Sequence, residues 1–140
     1  YTFPAPVPSG SSYSVSVTSQ PTSDTIAGTC AVENGSGIIA HENVTDVVVR
    51  CTRDRFAVNV DVSGLSGSGL VLVLHATGQP DEYLPISANG SHAFLTRPYS
   101  GDIYSVFVST QPSGPGQTCT AYFNGGMVEK TDVQIVVNCV

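Results

Sequence analysis

Apolar residues alternate with polar or small residues along much of this chain, which is the period of a strand buried on one face. Phe56, Val58, Val60 and Val62 show this alternation, whereas Leu70–Leu74 is apolar without a break. The unbroken run predicts a central strand that is buried on both faces. The same reasoning predicts further strands at Tyr83–Ile86, Ala93–Thr96, Tyr104–Ser109, Thr118–Phe123 and Val133–Cys139.

The predicted strands are short and are separated by Gly, Pro, Ser and Asn. Pro85 places its strand at the edge of a sheet, because proline cannot donate to the ladder. Asn89-Gly90 and Asn124-Gly125-Gly126 are candidate hairpin turns. No segment has a helical period. Seven such strands are typical of an immunoglobulin-like β-sandwich, so we expect an all-β fold of this kind.

An internal repeat organises the chain. Residues 3–21 (FPAPVPSGSSYSVSVTSQP) match residues 94–112 (FLTRPYSGDIYSVFVSTQP), and the match continues to both cysteine-containing ends. We therefore predict one partial repeat, residues 1–51, and one complete repeat, residues 52–140. The partial repeat is expected to hold only four strands, near Thr2-Phe3, Tyr13–Thr18, Thr29–Glu33 and Val44–Cys51.

The first repeat lacks the strands that would complete its sandwich. A sheet without its partner exposes apolar side chains and unpaired backbone groups. We therefore expect a cover for this half-sandwich, either upstream chain or another molecule. Position 1 is Tyr, and no signal peptide is present, so we expect a processed product or a segment of a longer protein.

The four cysteines have similar spacings in the two repeats. Cys30 and Cys51 are 21 positions apart, and Cys119 and Cys139 are 20 apart. This symmetry favours one disulfide within each repeat, although crossed pairings remain open. Paired cysteines at long spacing in a chain rich in Ser and Thr indicate an extracellular or cell-surface protein.

Charged residues make up only 11% of the chain, and the net charge is −6. The chain has only five Lys and Arg residues, which cannot neutralise a nucleic-acid backbone. We therefore expect no nucleic-acid partner. Attraction to anionic lipid is excluded on the same ground. The longest apolar run has five residues, far below the ~20 that a spanning helix needs, so we expect no membrane insertion.

No motif in the sequence predicts a catalytic centre or a cofactor site. The three histidines lack metal-ligand spacing, so we expect no metal. In the absence of a catalytic or cofactor-binding motif, we also expect no cofactor and no enzymatic activity. Weak calcium binding at Asp81-Glu82 and glycosylation at three Asn-x-Ser/Thr sequons remain alternatives. Aromatic residues that could stack on a sugar form one more candidate group. They are Tyr83, Tyr99, Tyr122 and Phe123.

The complete repeat resembles a family of bacterial secreted and surface repeats with an immunoglobulin-like sandwich fold. The resemblance is carried by residues 62–72 (VSGLSGSGLVL), residues 86–91 (ISANGS), residues 104–119 and the closing Val136-Val137-Asn138-Cys139. Such repeats form arrays in large surface proteins, so the resemblance implies a structural or adhesive role. Its function is otherwise only loosely assigned.

These features predict an extracellular structural subunit that assembles with copies of itself into a filament or surface array. Each neighbour would complete the first repeat by strand complementation. The residues expected at this interface are Tyr1, Phe3, Val15, Val17, Val47, Val49 and Val140, with the two termini as donors. The alternative is an adhesive or carbohydrate-binding module from a larger surface protein, with glycans as its partners.

Overall fold

The computed structural model describes residues 1–21 and 23–140, and it is all-β, with no helix in these residues. This confirms the all-β part of the predicted fold class. Twelve strands are present in the described chain: β1 Ser12–Ser14, β2 Gly28–Glu33, β3 Ser36–Ile38, β4 Val48–Arg53, β5 Val58–Ser63, β6 Leu70–Ala76, β7 Glu82–Ile86, β8 Gly90–Ala93, β9 Ile103–Thr110, β10 Cys119–Tyr122, β11 Gly125–Met127 and β12 Val133–Cys139.

The strands belong to two compact units. Unit 1 contains Tyr1–Thr22 and Gly28–Thr52, and unit 2 contains Ser23–Ala27 and Arg53–Val140. The predicted division into residues 1–51 and 52–140 therefore misses the short segment Ser23–Ala27. Hydrogen bonds explain its place, because Ala27 N–H donates to Ser100 Oγ at 2.8 Å and Ala27 C=O accepts from Asp54 N–H at 3.0 Å.

Unit 2 is built from two four-stranded sheets. One sheet has the order β10-β12-β5-β8, and the other has the order β11-β9-β6-β7. β5 runs parallel to β12, and the remaining pairs are antiparallel. In the constant-type immunoglobulin order the first strand shares a sheet with the second, whereas β5 and β6 lie in different sheets. The sheets are consistent with a β-sandwich, and the immunoglobulin-like identity stays a prediction.

The core of unit 2 follows from the alternation in its strands. In β5, Val58, Val60 and Val62 are buried, while Asp61 and Ser63 between and beyond them are exposed. β12 alternates in the same way and buries four side chains. Each fully buried valine or leucine contributes about 1.5–3 kcal/mol of transfer free energy.

Two predictions about individual strands in unit 2 are confirmed. β6 lies between β9 and β7, and five of its seven residues are buried, as the unbroken apolar run predicts. β7 is an edge strand, and Pro85 lies opposite Val71. Because proline has no backbone N–H, it is tolerated where that group would point away from the neighbouring strand. At Pro85 this is the outer side of β7, which has no partner strand.

Unit 1 repeats the second half of unit 2 at the level of single hydrogen bonds. β1 pairs with β3 in the register in which β9 pairs with β11, so Tyr13 lies opposite Gly37 as Tyr104 lies opposite Gly126. The side chain of Gln20 bonds both backbone groups of Cys30. Gln111 bonds the backbone of Cys119 in the same way.

Four predicted elements differ clearly in the structure. The strand expected at Ala93–Thr96 lies earlier, at Gly90–Ala93 (β8). The expected turn at Asn124-Gly125-Gly126 includes β11, and β3 occupies the corresponding glycine-rich stretch of unit 1. Thr2-Phe3 is not a strand, because nothing in the described residues pairs with it. β1 ends at Ser14 rather than at Thr18, since only β3 pairs with it, whereas β9 is extended to Thr110 by β6.

Each unit contains one disulfide. Cys30 is bonded to Cys51 and Cys119 to Cys139, which is the pairing that the spacing favours. In unit 2 the bridge joins directly opposite residues of β10 and β12. Two disulfides are compatible with an extracellular protein. Among the described residues, no helix has the length and apolar character needed to cross a membrane.

Candidate functional site

Unit 1 has no core of its own. None of its side chains is buried in the part of the chain that the structure describes, whereas unit 2 buries a continuous cluster of valine, leucine, isoleucine and phenylalanine. The two units share strand registers, so poor local sequence does not explain the difference. Among the described residues, unit 1 has no counterparts of β5, β6, β7 and β8, so its apolar side chains have no facing strands.

The missing strands leave two open edges. In unit 2, β12 has β10 on one side and β5 on the other, and β9 has β11 on one side and β6 on the other. Their counterparts in unit 1 are β4 and β1. Within the described strands, β4 has β2 as its single neighbour, and β1 has β3. Each open edge presents backbone N–H and C=O groups that another strand could pair with.

Four of the valines expected at the interface lie in or beside β1 and β4, and none of them is buried. Val49 in β4 is 54% exposed, while its counterpart Val137 in β12 is 0% exposed. Val47 is half-buried, and so are Val15 and Val17, which follow β1. These four valines, together with the Cys30–Cys51 bridge, form an apolar surface that we call the half-core.

Phe3 gives the clearest comparison between the units. Its counterpart Phe94 is 3% exposed in the core of unit 2, and Phe94 N–H donates to Val58 C=O at 3.0 Å. Phe3 is 63% exposed, and its ring contacts Tyr1 edge to face at 5.6 Å between centroids. The phenylalanine is the same in both repeats, but the strand against which it would pack is present only in unit 2.

The two termini differ in their pairing. Val140 has an exposed side chain, but its backbone N–H and C=O are both bonded to Thr118, at 3.0 Å each. Among the described residues, Tyr1 to Val7 make no hydrogen bond and lie outside every strand. The backbone of Val140 is therefore engaged within unit 2, while residues 1–7 have no backbone partner among the described residues.

Ile39 corresponds to a core residue of unit 2, although it is not among the residues predicted for the interface. Ile39 is half-buried and follows β3, and its counterpart in unit 2 is Val128, which is fully buried. The backbone C=O of each accepts a 2.7 Å hydrogen bond from the glycine of the preceding turn, Gly10 or Gly101. Extending the repeat alignment through the glycine-rich stretch would have identified this residue.

A second exposed apolar surface lies on the outer face of unit 2. Tyr83 in β7 and Phe107 in β9 both lie opposite Val73 in β6, so the three side chains share one face of the sheet. Val73 is 1% exposed beneath them, whereas Tyr83 is 59% and Phe107 41% exposed. We call these three residues the aromatic face.

Polar side chains adjoin the aromatic face. The His75 ring lies 4.9 Å from the Phe107 ring, and His75 Nδ1 contacts the carboxylate of Asp81. Aromatic rings beside a hydrogen-bonding pair are the elements that bind a sugar, because a pyranose presents both a C–H face and hydroxyl groups.

The other predicted aromatic residues are not part of this face. The Tyr99 ring is covered by two guanidinium groups, with Arg53 Cζ at 5.1 Å and Arg55 Cζ at 4.0 Å from its centroid. Tyr122 lies in β10, in the opposite sheet, and Phe123 follows it with a left-handed φ of 55°. Of the four aromatic residues predicted from the sequence, only Tyr83 shares a sheet face with another exposed aromatic ring, that of Phe107, among the described strands.

The acidic residues proposed for calcium have other partners. Asp81 contacts His75, while the Glu82 carboxylate accepts from the N–H groups of Leu95 and Thr96 at 2.8 and 2.7 Å. Burial acts to raise the pKa of Glu82, but these hydrogen bonds outweigh it and hold the pKa below its usual value of 4.5. The described residues contain no group of three His, Cys, Asp or Glu that could hold a metal ion.

No protein-family model, no curated protein and no solved structure matches this chain. The resemblance to bacterial surface repeats therefore stays a prediction, and the functional argument rests on the half-core, the open edges and the aromatic face.

Proposed function

We propose that this chain is an extracellular structural subunit that assembles with copies of itself into a filament or surface array. The contact forms when strands of a neighbouring copy complete unit 1 along the open edges of β1 and β4. This is β-augmentation, in which backbone hydrogen bonds give affinity and alternate side chains give specificity.

The observation that carries the proposal is the contrast between Val49 and Val137. The same position of the same strand is 54% exposed in one unit and fully buried in the other. An exposed apolar surface beside an unpaired strand edge favours association, because both the side chains and the backbone groups gain partners.

The composition supports assembly outside the cell. Two disulfides brace the strands, and only 11% of the residues are charged, so opposed surfaces would meet limited like-charge repulsion. The resemblance to bacterial surface repeats points in the same direction, since arrays of similar units would present similar strand edges to one another.

Light scattering and electron microscopy of the full chain over a range of concentrations test the proposal. We expect the wild-type chain to form oligomers or filaments. Val49→Asp should prevent this, because it places a carboxylate in the half-core, and burying an unpaired charge is costly. Val48→Asp is the matched control, since Val48 and its counterpart Val136 are exposed in both units, at 39% and 40%.

The proposal fails if the wild-type chain remains a folded monomer at high concentration. It also fails if Val48→Asp and Val49→Asp reduce assembly equally, because the effect would then come from added charge and not from the half-core. Circular dichroism of both variants establishes that each retains the fold of unit 2.

Carbohydrate binding is the second candidate function, and the aromatic face favours it. Tyr83 and Phe107 would stack on the C–H face of a pyranose while His75 and Asp81 bond its hydroxyl groups. The two functions are compatible, because the half-core lies in unit 1 and the aromatic face in unit 2.

A glycan array followed by titration calorimetry tests this second candidate. Tyr83→Ala should abolish binding of any glycan that the wild-type chain retains, because stacking is lost. Tyr122→Ala removes an exposed aromatic ring from the other sheet and should leave binding unchanged. Equal losses in the two variants, or no glycan retained by the wild-type chain, would rule out the aromatic face as a sugar site.

A further inference from the structure

The N-terminal segment has the residue pattern of a strand, although it is not one in the structure. Apolar side chains occupy positions 1, 3, 5 and 7 (Tyr, Phe, Ala and Val), and prolines occupy positions 4, 6 and 8. All eight residues are exposed. An alternating apolar segment without a partner is suited to join a sheet elsewhere.

The prolines restrict this segment to pairing along one edge. Successive residues of a strand direct their N–H and C=O groups to opposite sides, so Pro4, Pro6 and Pro8 all lack a donor on the same side. The N–H groups of Phe3, Ala5 and Val7 lie together on the other side. The segment can therefore form one ladder, and it cannot recruit a further strand on its proline side.

Unit 2 shows what the open edge of β4 accepts. In β5, which pairs with β12, Val58, Val60 and Val62 are directed into the core, opposite Val133, Ile135 and Val137 in the parallel register. The segment offers the same spacing of three apolar residues, but it cannot copy the direction of β5. In β5 the core-facing Val58 directs its C=O to the β8 side, whereas the neighbouring Ala57 directs its C=O to β12. A parallel donor would therefore turn its prolines towards β4, while an antiparallel donor turns the N–H groups of its apolar residues towards β4. The counterparts of Ile135 and Val137 in unit 1 are Val47 and Val49, the half-core valines beside that edge.

We propose that Tyr1–Pro8 of one copy pairs antiparallel along the open edge of β4 in the next copy and directs Phe3, Ala5 and Val7 into its half-core. This rests on the proposed self-assembly and identifies the strand that performs it. The C-terminus is the weaker donor, because the backbone of Val140 is already bonded to Thr118.

Two consequences follow from the donor's chemistry. Each copy has one donor and one acceptor that are different surfaces, so the contact is heterologous and extends into a linear assembly unless a ring closes. Prolines already restrict the segment to extended conformations, so pairing costs less conformational entropy than it would for a flexible tail.

Matched charge substitutions in the donor test this inference in the full chain. Phe3→Asp should raise the concentration needed for assembly by more than about tenfold, because the carboxylate would enter the half-core; tenfold corresponds to about 1.4 kcal/mol. Thr2→Asp is the control, since Thr2 would lie on the opposite face of the segment once it is paired. Phe3 and Thr2 are exposed and outside the strands, so both variants should fold.

Photocrosslinking then locates the acceptor. Phe3→p-benzoylphenylalanine is prepared in unlabelled chain and mixed with ¹⁵N-labelled wild-type chain before irradiation. We expect crosslinked peptides that join an unlabelled N-terminal segment to labelled residues 44–53. Crosslinks confined to one chain, or crosslinks to unit 2, would overturn the proposed donor contact.

The outcomes separate this inference from the proposed function. If Val49→Asp prevents assembly but Phe3→Asp does not, self-assembly stands and another strand is the donor. If the wild-type chain never assembles, both proposals fail. Equal effects of Thr2→Asp and Phe3→Asp would also contradict the donor role, because the face of the strand would not matter.

Discussion

Replacing the equivalent phenylalanines of the two units should have very different effects on stability. Phe94→Ala removes a ring that is 3% exposed in the core of unit 2, whereas Phe3→Ala removes a ring that is 63% exposed. The backbone bond from Phe94 N–H to Val58 C=O remains in the variant, so the loss comes from the ring alone.

The expected magnitudes follow from burial. A buried aromatic ring covers about 150–250 Å², which at about 25 cal/mol per Å² gives an upper bound of about 4–6 kcal/mol. Measured losses for Phe→Ala in cores are about 3–5 kcal/mol. We expect this loss for Phe94→Ala, and less than about 1 kcal/mol for Phe3→Ala in dilute monomer, where the ring stays mostly in water.

Urea unfolding of dilute protein, followed by far-ultraviolet circular dichroism, measures both losses. Hydrogen exchange resolved by mass spectrometry assigns each loss to unit 1 or unit 2. Since 1 kcal/mol shifts the melting temperature of a domain of this size by about 4–8 °C, Phe94→Ala should lower it by about 12 °C or more. Similar losses in the two variants would show that unit 1 has a core of its own and would refute the reasoning behind the half-core.

Two further predictions concern unit 2. Glu82→Gln should destabilise the protein at neutral pH, because the amide cannot accept from both Leu95 and Thr96 as the carboxylate does. The pKa of Glu82 is lowered by folding, so its contribution is present above pH ~4.5 and is lost as the pH falls through the folded value. The difference between the variant and the wild type should therefore shrink in urea titrations as the pH is lowered below about 4.5, and a difference that does not change with pH would contradict this account. Removing the Cys119–Cys139 bridge by double replacement with serine should cost about 3 kcal/mol, since it closes a loop of about 20 residues in the unfolded chain. A loss below about 1 kcal/mol in the same titration would show that the bridge does not restrict the unfolded state in this way.

The strands that can be predicted from the sequence are those whose own apolar residues show a clear period of burial. β6 and β12 were predicted correctly because burial on one or both faces leaves a clear period in Leu70–Leu74 and Val133–Cys139. β3 and β11 were missed because their glycines have low strand propensity. Packing explains why β3 contains a glycine at position 37, since a Cβ there would lie only 2.9 Å from Cε1 of Tyr13.

The candidate site was predicted in part for a related reason. The repeat identified Val15, Val17, Val47 and Val49 as residues whose partners are missing, since each has a counterpart in a complete unit. It could not identify the aromatic face, because Phe107 reads as one more position of an alternating strand. Only the pairing of β6 with both β7 and β9 brings Phe107 and Tyr83 to opposite sides of Val73.

The segment Ser23–Ala27 has a consequence for how such a chain could gain or lose repeats. The polypeptide passes from unit 1 to unit 2 at Ser23, returns at Gly28 and crosses again at Arg53, so the repeating unit and the folding unit are not the same stretch of chain. Recombination between Cys51 and Thr52 would give unit 2 a different copy of the segment that bonds Ser100 and Asp54. These bonds use the backbone N–H and C=O of Ala27, so an incoming copy with any residue other than proline at this position could preserve them.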